Sequence, residues 1–215
     1  MADDERHTLH DPADLSRRQC YALLTTLVVP RPIGWISTRS ARGVPNLAPF
    51  SYFNALSAAP PLVGASIARR HSGPKDTLAN IRDSGAFCVN VVTERHLAAM
   101  VRTAGDYPAD VNEFDVAGLA MAEADTVDAP FVGDCPAVLE CRLFREVDLG
   151  DAPNTLVIGQ VTMVRLHDTL LEDPERLLVD PQALRPVGRL GAERYTTLGE
   201  VRHVPRPRIP LPEDG

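Results

Sequence analysis

Lys75 is the only lysine among the 22 lysines and arginines in this 215-residue sequence. It lies in Gly73-Pro74-Lys75-Asp76-Thr77, next to short polar residues that can open a helix. An ammonium on a flexible stem beside the amide-rich start of a helix is a common means of holding a phosphate, because a point charge and unpaired N–H groups converge there. A second segment, Asn46-Leu47-Ala48-Pro49-Phe50-Ser51-Tyr52-Phe53-Asn54, is polar and broken by proline. Proline interrupts a strand ladder, so part of this backbone is free to face a ligand. The two segments suit a phosphorylated cofactor better than a side-chain nucleophile. A flat redox cofactor carries its own chemistry and asks the protein only for orientation, hydrogen bonds and exclusion of water.

Other chemistries lack their residues. GxSxG, HExxH, an EF-hand loop, GxGxxG and GxxxxGK[ST] do not occur. Cys20, Cys88, Cys135 and Cys141 form no CxxC pair and the histidines are scattered, so no metal site is expected and the cysteines read as small buried apolar residues. A net charge of −7 and a pI near 5.3 argue against nucleic acid or an anionic membrane as partner. An anionic ligand must then be held by local positive groups. No apolar run approaches the roughly 20 residues of a membrane span, and MADDERHTLHD lacks the pattern of a signal peptide. The expected location is cytoplasmic.

The elements that must position these segments can be taken in order. Residues 1–14 read as a loose arm, and Leu15 to Thr26 as a short helix capped by Ser16 with Tyr21, Leu24 and Leu27 on one face. Pro30 and Pro32 end it. Ile33 to Thr38 is expected as a strand, paired through the turn at Arg39 to Gly43 with an extended run from Val44 to Ser57, in which Pro45 and Pro49 preclude a regular central strand. A third strand follows at Leu62 to Ala68. Asp76 or Thr77 can cap a helix with Leu78 and Ile81 inward and Gly85 as its stop. Ala86 to Val92 alternates as a strand, and Thr93 can cap a helix bearing Leu97, Met100 and Val101, with Met100 in the core. A short helix is expected around Val111 to Val116. Ala137 to Val147 and Thr155 to His167 read as long strands of a hairpin turning at Asp148-Leu149-Gly150-Asp151, Leu170 to Val179 as partly helical, and residues 203–215 as a proline-rich extended end. The result is a single, mainly β domain over 1–215, a largely antiparallel barrel with short helices.

Arg31-Pro-Ile-Gly-Trp-Ile-Ser-Thr38, Gly43, Asn46-Leu-Ala-Pro-Phe-Ser-Tyr-Phe53, Pro60-Pro61, Lys75-Asp-Thr77 and Asn80-Ile81 resemble the flavin reductase-like family of FMN-binding split barrels. Asn112-Glu-Phe114, Ala117-Gly-Leu119, Leu139-Glu-Cys141, Ile158-Gly159, Gly188-Arg-Leu-Gly191 and Tyr195 extend the likeness in order along residues 20–200. The resemblance implies a Greek-key-like split barrel, a homodimer, and FMN at or near the subunit interface. It implies that Ser37, Thr38, Asn46, Ala48, Pro49 and Ser51 line the flavin and its ribityl chain, that Lys75 and Thr77 take the phosphate, and that Arg189 and Tyr195 lie on the substrate side. Asn112-Glu113-Phe114 is read as a helix start without ligand contact, and Trp35, Phe50 and Phe53 as core or dimer surface. The implied activity is an NAD(P)H-dependent flavin reductase-like oxidoreductase that passes electrons to a flavin, oxygen or a small acceptor and can serve a partner monooxygenase. An FMN-binding electron carrier or store without nicotinamide turnover is the alternative. The intact phosphate and flavin segments disfavour a flavin-free interaction protein, and no motif favours an oxidase of pyridoxine phosphate or a haem-derived substrate.

Overall fold

The computed structural model describes residues 7–70, 73–150 and 154–207. Helix α1 (Arg17–Leu27) starts at Ser16, whose hydroxyl accepts from the Gln19 amide while the Gln19 side chain accepts from the Ser16 amide. This reciprocal pairing satisfies two donors that the first turn leaves unpaired. The next elements are strands β1 (Gly34–Arg39), β2 (Pro45–Phe50), β3 (Phe53–Ala58) and β4 (Pro61–Ala68), helix α2 (Asp76–Ser84) and strand β5 (Ala86–Val91). A 3₁₀ turn at Glu94–His96 leads to α3 (Leu97–Arg102) and α4 (Glu113–Ala117). After the short strands β6 (Met121–Glu123) and β7 (Pro130–Val132), β8 (Ala137–Asp148) and β9 (Asn154–Leu166) form a long hairpin. The chain ends with β10 (Leu171–Asp173), β11 (Leu178–Val179), α5 (Pro181–Leu184), β12 (Gly188–Arg189) and β13 (Tyr195–Thr196).

Seven strands form one sheet in the order β2-β1-β5-β8-β9-β4-β3, with every pair antiparallel. The two end strands are consecutive in the chain, separated only by Ser51 and Tyr52, and the Ser66 amide donates to the Tyr52 carbonyl at 2.8 Å. The sheet therefore rolls up, and the chain itself crosses the seam that a ladder would otherwise close. This is an antiparallel split barrel.

Proline placement explains the seam. In β2 the amide of Leu47 points away from β1, since it donates to Glu113. Pro45 and Pro49 share its parity, so their missing N–H groups lie on the same outer edge and cost β1 no ladder bond. Central strand β1 is buried on both faces. Ile36 points into a core with Phe50, Ile67, Leu78, Ile81, Phe87 and Val157, whereas Trp35 points into a second core with Leu47, Met100 and Phe114. Gly159 admits the Phe87 ring, which would lie 2.2 Å from a Cβ placed there.

Three local expectations need correction. The N-cap of α2 is Lys75, with no side-chain cap bond, rather than Asp76 or Thr77. Residues 170–179 form the β10–β11 pair after a 3₁₀ turn rather than a partly helical stretch, because Asp173 accepts from the Arg176 amide and turns the chain back. Thr93 makes no cap bond and opens the 3₁₀ turn rather than α3, whose N-cap is His96, because the Thr93 hydroxyl is engaged with His96 Nδ1 at 2.9 Å. Asp151, in the expected hairpin turn, lies outside the described residues, as do positions 1–6 and 208–215 of the two ends.

Candidate functional site

The N-terminus of α2 opens onto a polar cavity lined by Asn46, Ala48 and Pro49 of β2, Lys75, Asp76 and Thr77 of α2 and its cap, Arg70, Thr103, Ala104, Gly105 and Glu113. Because Lys75 makes no cap bond, the first amides of α2 are not satisfied by that side chain, and the positive end of the helix faces the cavity. The Lys75 ammonium lies 6.0 Å from the centre of the Phe50 ring, and among the described residues it forms no ion pair. Arg70 adds a second cation, bonded to Asp76 at 2.9 Å and near Asp106 at 3.4 Å. Its position just before Gly73-Pro74-Lys75 is the feature of the sequence that points to it.

Behind the cavity wall lies a buried hydrogen-bond network. Thr77 donates to the Asn46 side-chain oxygen at 2.8 Å, and Asn80 donates to Thr38 at 3.0 Å. The Asn46 amide group donates to Glu113 Oε1 at 2.9 Å, and the Leu47 backbone amide donates to Oε2 at 3.0 Å. Asn46, Thr77, Asn80, Thr38 and Glu113 are all buried. Burial pushes the Glu113 carboxyl above its ordinary range, against the opposing effect of the bonds it accepts from Leu47 and Asn46. The expected helix start at Asn112 is present, its side chain accepting from the Phe114 amide, yet Glu113 lines the cavity. No spacing pattern could reveal this, since Glu113 meets residues 66 and 67 positions away.

A second cavity adjoins the first, with Pro49 and Ala104 common to both walls. It is lined by Tyr21, Ile33, Ser51, Met100, Arg189 and Tyr195 as well. Arg189 is held by paired backbone bonds to Arg31 at 2.9 and 2.8 Å, and its guanidinium lies 4.4 Å from the centre of the Tyr195 ring. Tyr21 reaches the cavity from α1 and packs 6.5 Å from Tyr52. A cationic, amide-rich cavity and an aromatic one thus lie side by side across Pro49 and Ala104.

Asn46, Ala48, Pro49, Lys75 and Thr77 thus share the polar end, Pro49 reaches into the aromatic end with Ser51, Arg189 and Tyr195, and Thr38 supports the wall from behind. Ser37 does not join them. Successive strand residues point to opposite faces, and Ser37 follows Trp35, donating to the Pro130 carbonyl at 2.6 Å and accepting from Asn90 at 3.0 Å. Ser37→Ala is expected to lower the unfolding free energy by about 1–3 kcal/mol, because a buried carbonyl loses its donor. Denaturant unfolding measures this, and a loss within experimental error would show that the bond is dispensable.

Residues 26–188 match the model of the flavin reductase like domain. An uncharacterised protein of Aquifex aeolicus is 39% identical over 81% of this chain and 88% of its own length. Among solved structures, nitrilotriacetate monooxygenase component B from Bacillus cereus superposes with a TM-score of 0.88 at 32% identity, over 93% of this chain and 99% of the other. The 2-nitrobenzoate 2-nitroreductase of Pseudomonas fluorescens gives a TM-score of 0.85 at 31% identity, over 97% and 100% of the two chains. A barrel closed by a proline-edged strand, with Lys75 at a helix start facing a cleft along that strand, agrees with these matches, and the chain belongs to the flavin reductase-like family.

Proposed function

We propose that the protein is an FMN-dependent oxidoreductase that takes hydride from NADH or NADPH and delivers electrons to a second flavin, molecular oxygen or a small acceptor. The observation that carries this reading is the adjacency, across Pro49 and Ala104, of a cationic cavity at Lys75 and an aromatic cavity at Tyr195. The residues fit the cofactor in kind. Lys75, Arg70 and the first amides of α2 would hold the phosphate, Asn46 to Ser51 would run along the ribityl chain and ring, and Arg189 with Tyr195 would border the reacting face. Bound FMN would supply the hydride and electron transfer. The chain's own part is to neutralise the phosphate, orient the ring and exclude water at the aromatic end.

Neighbours whose names denote a monooxygenase component and a nitroreductase support a role in handing electrons to a partner monooxygenase or a small acceptor. A homodimer is part of the reading. What supports it is the apolar face of α1, where Tyr21 is 62%, Leu24 55% and Leu27 74% exposed beside the cleft. A single domain spanning residues 1–215 and a cytoplasmic location complete it, and no described helix is long and apolar enough to cross a membrane.

An anaerobic absorbance spectrum of the FMN-loaded protein, taken before and after each nicotinamide, tests the proposal. Bleaching of the flavin band by NADH or NADPH is the expected result. Persistence of the band with both would make the protein an electron carrier with a different donor. Failure to take up FMN at all would overturn the cofactor assignment.

A further inference from the structure

Glu113 is a buried carboxylate whose two partners are an amide side chain and a backbone amide, with no cation at ion-pair distance among the described residues. It lines the same cavity as Lys75. A carboxylate can only accept, so an ionised Glu113 compels Asn46 to present its NH₂ group to it and its oxygen to Thr77. The Thr77 hydroxyl proton is thereby committed to Asn46, and Thr77 faces the cavity with lone pairs alone. That polarity is wrong for a phosphate, which only accepts at its anionic oxygens. The buried negative charge is wrong for it as well.

A single proton on Glu113 reverses the whole chain. The new O–H donates to the Asn46 oxygen once that amide has turned over, the Asn46 NH₂ donates to Thr77, and the Thr77 hydroxyl proton is released toward the cavity. The Leu47 amide keeps its acceptor, the other carboxyl oxygen. A proton from solvent, a rotation of the Asn46 amide and a turn of the Thr38 hydroxyl, which donates to the same Asn46 oxygen at 3.4 Å, are all that is required. We infer that Glu113 is a positioning residue that takes up a proton when a phosphate group enters the cleft, switching Thr77 from acceptor to donor. This rests on the reading of the cleft as a site for a phosphorylated flavin.

The groups facing Glu113 are compatible with this role. Lys75, Asp76 and Arg70 share the cavity, and Arg70 is engaged by Asp76 and Asp106. From α3, Arg102 donates to the Ala117 carbonyl, and on α4 itself Asp115 accepts from Asn112. Burial already holds the Glu113 carboxyl above its ordinary range, which favours the protonated form.

The test is calorimetric titration with FMN in buffers of different ionisation enthalpy, on the wild type and Glu113→Gln. Glutamine reproduces the protonated form, donating to Asn46 and accepting from Leu47. FMN's own phosphate titrates equally in both experiments, so the difference between them reports residue 113. Wild type should take up about one proton more than the variant where Glu113 is ionised in the free protein, and in that range its FMN affinity should fall about tenfold per pH unit relative to the variant. A second measurement needs no substitution: the Glu113 carboxyl ¹³C resonance of wild type should move from its ionised to its protonated position when FMN is added. Equal proton counts, or a carboxyl that stays ionised with FMN bound, would overturn the inference while leaving the cofactor reading intact. Absence of FMN binding by both proteins would overturn both.

Discussion

Replacing Lys75 with alanine should weaken FMN binding by about 10- to 100-fold while changing riboflavin binding by less than about twofold. The magnitude follows from the loss of one charge-assisted hydrogen bond to a phosphate, about 1.5–3 kcal/mol, at about 1.4 kcal/mol per tenfold. The variant reads the ligand contact cleanly because Lys75, although the N-cap of α2, donates no cap bond that alanine would remove. Arg70 and the first amides of α2 remain and set a floor to the loss. Lys75→Arg should retain most of the affinity, since the charge survives, but not all of it, because a planar fork approaches a phosphate differently from an ammonium. Quenching of flavin fluorescence in titrations with FMN and riboflavin gives the ratio directly. A parallel loss for both ligands would mean damage to the fold, and no loss for either would remove Lys75 from the site.

What could be read in the sequence shares one physical property, which is locality. The β1–β2 hairpin is announced by a turn-rich Arg39 to Gly43 between two extended runs, and its register follows with Arg39 opposite Pro45. The α2 boundaries are similarly local, with Gly85 in the left-handed region at φ 66° as the stop. The cap lies one position before Asp76 and two before Thr77, because a lysine with no capping side chain lacks the usual signal. The cleft residues Asn46 to Ser51 and Lys75 to Thr77 were legible as two segments, but not their joining by Glu113 or the turning away of Ser37. Those depend on which strand edge is open and which face of β1 each residue takes. Both are settled by packing across more than 60 positions of chain. Residues 171–179 show the same limit in reverse: a leucine-rich run reads as half a helix until an Asp173 side chain fixes the turn.

Substitution of Glu140 should damage the fold strongly. It is fully buried on β8, and its carboxylate accepts from the Asp125 amide at 3.2 Å, from the Thr126 amide and hydroxyl at 2.7 Å each, and from Arg165 Nε at 2.8 Å. These bonds pin the segment that leads into β7, whose Pro130 carbonyl receives Ser37 from the central strand. Burial by itself would raise the Glu140 carboxyl, but the Thr126 hydroxyl and amide, the Asp125 amide and Arg165 together outweigh it and hold the group below its ordinary value. Its ionised form therefore stabilises the native state. That contribution is complete above the ordinary carboxyl value of 4.5 and is lost as pH falls through the lower native value. Glu140→Ala should cost about 2–4 kcal/mol at neutral pH, because several donors lose one shared acceptor. Glu140→Gln should cost less, since the shape and one acceptor oxygen remain. The cost of Glu140→Gln should also shrink as the pH is lowered past 4.5, as wild type surrenders the charge the variant never had. Urea unfolding of the three proteins across this range decides the matter. A Glu140→Ala loss below about 1 kcal/mol, or a pH-independent gap between wild type and the glutamine variant, would show that water replaces the carboxylate at little cost and that the segment before β7 is held by other contacts.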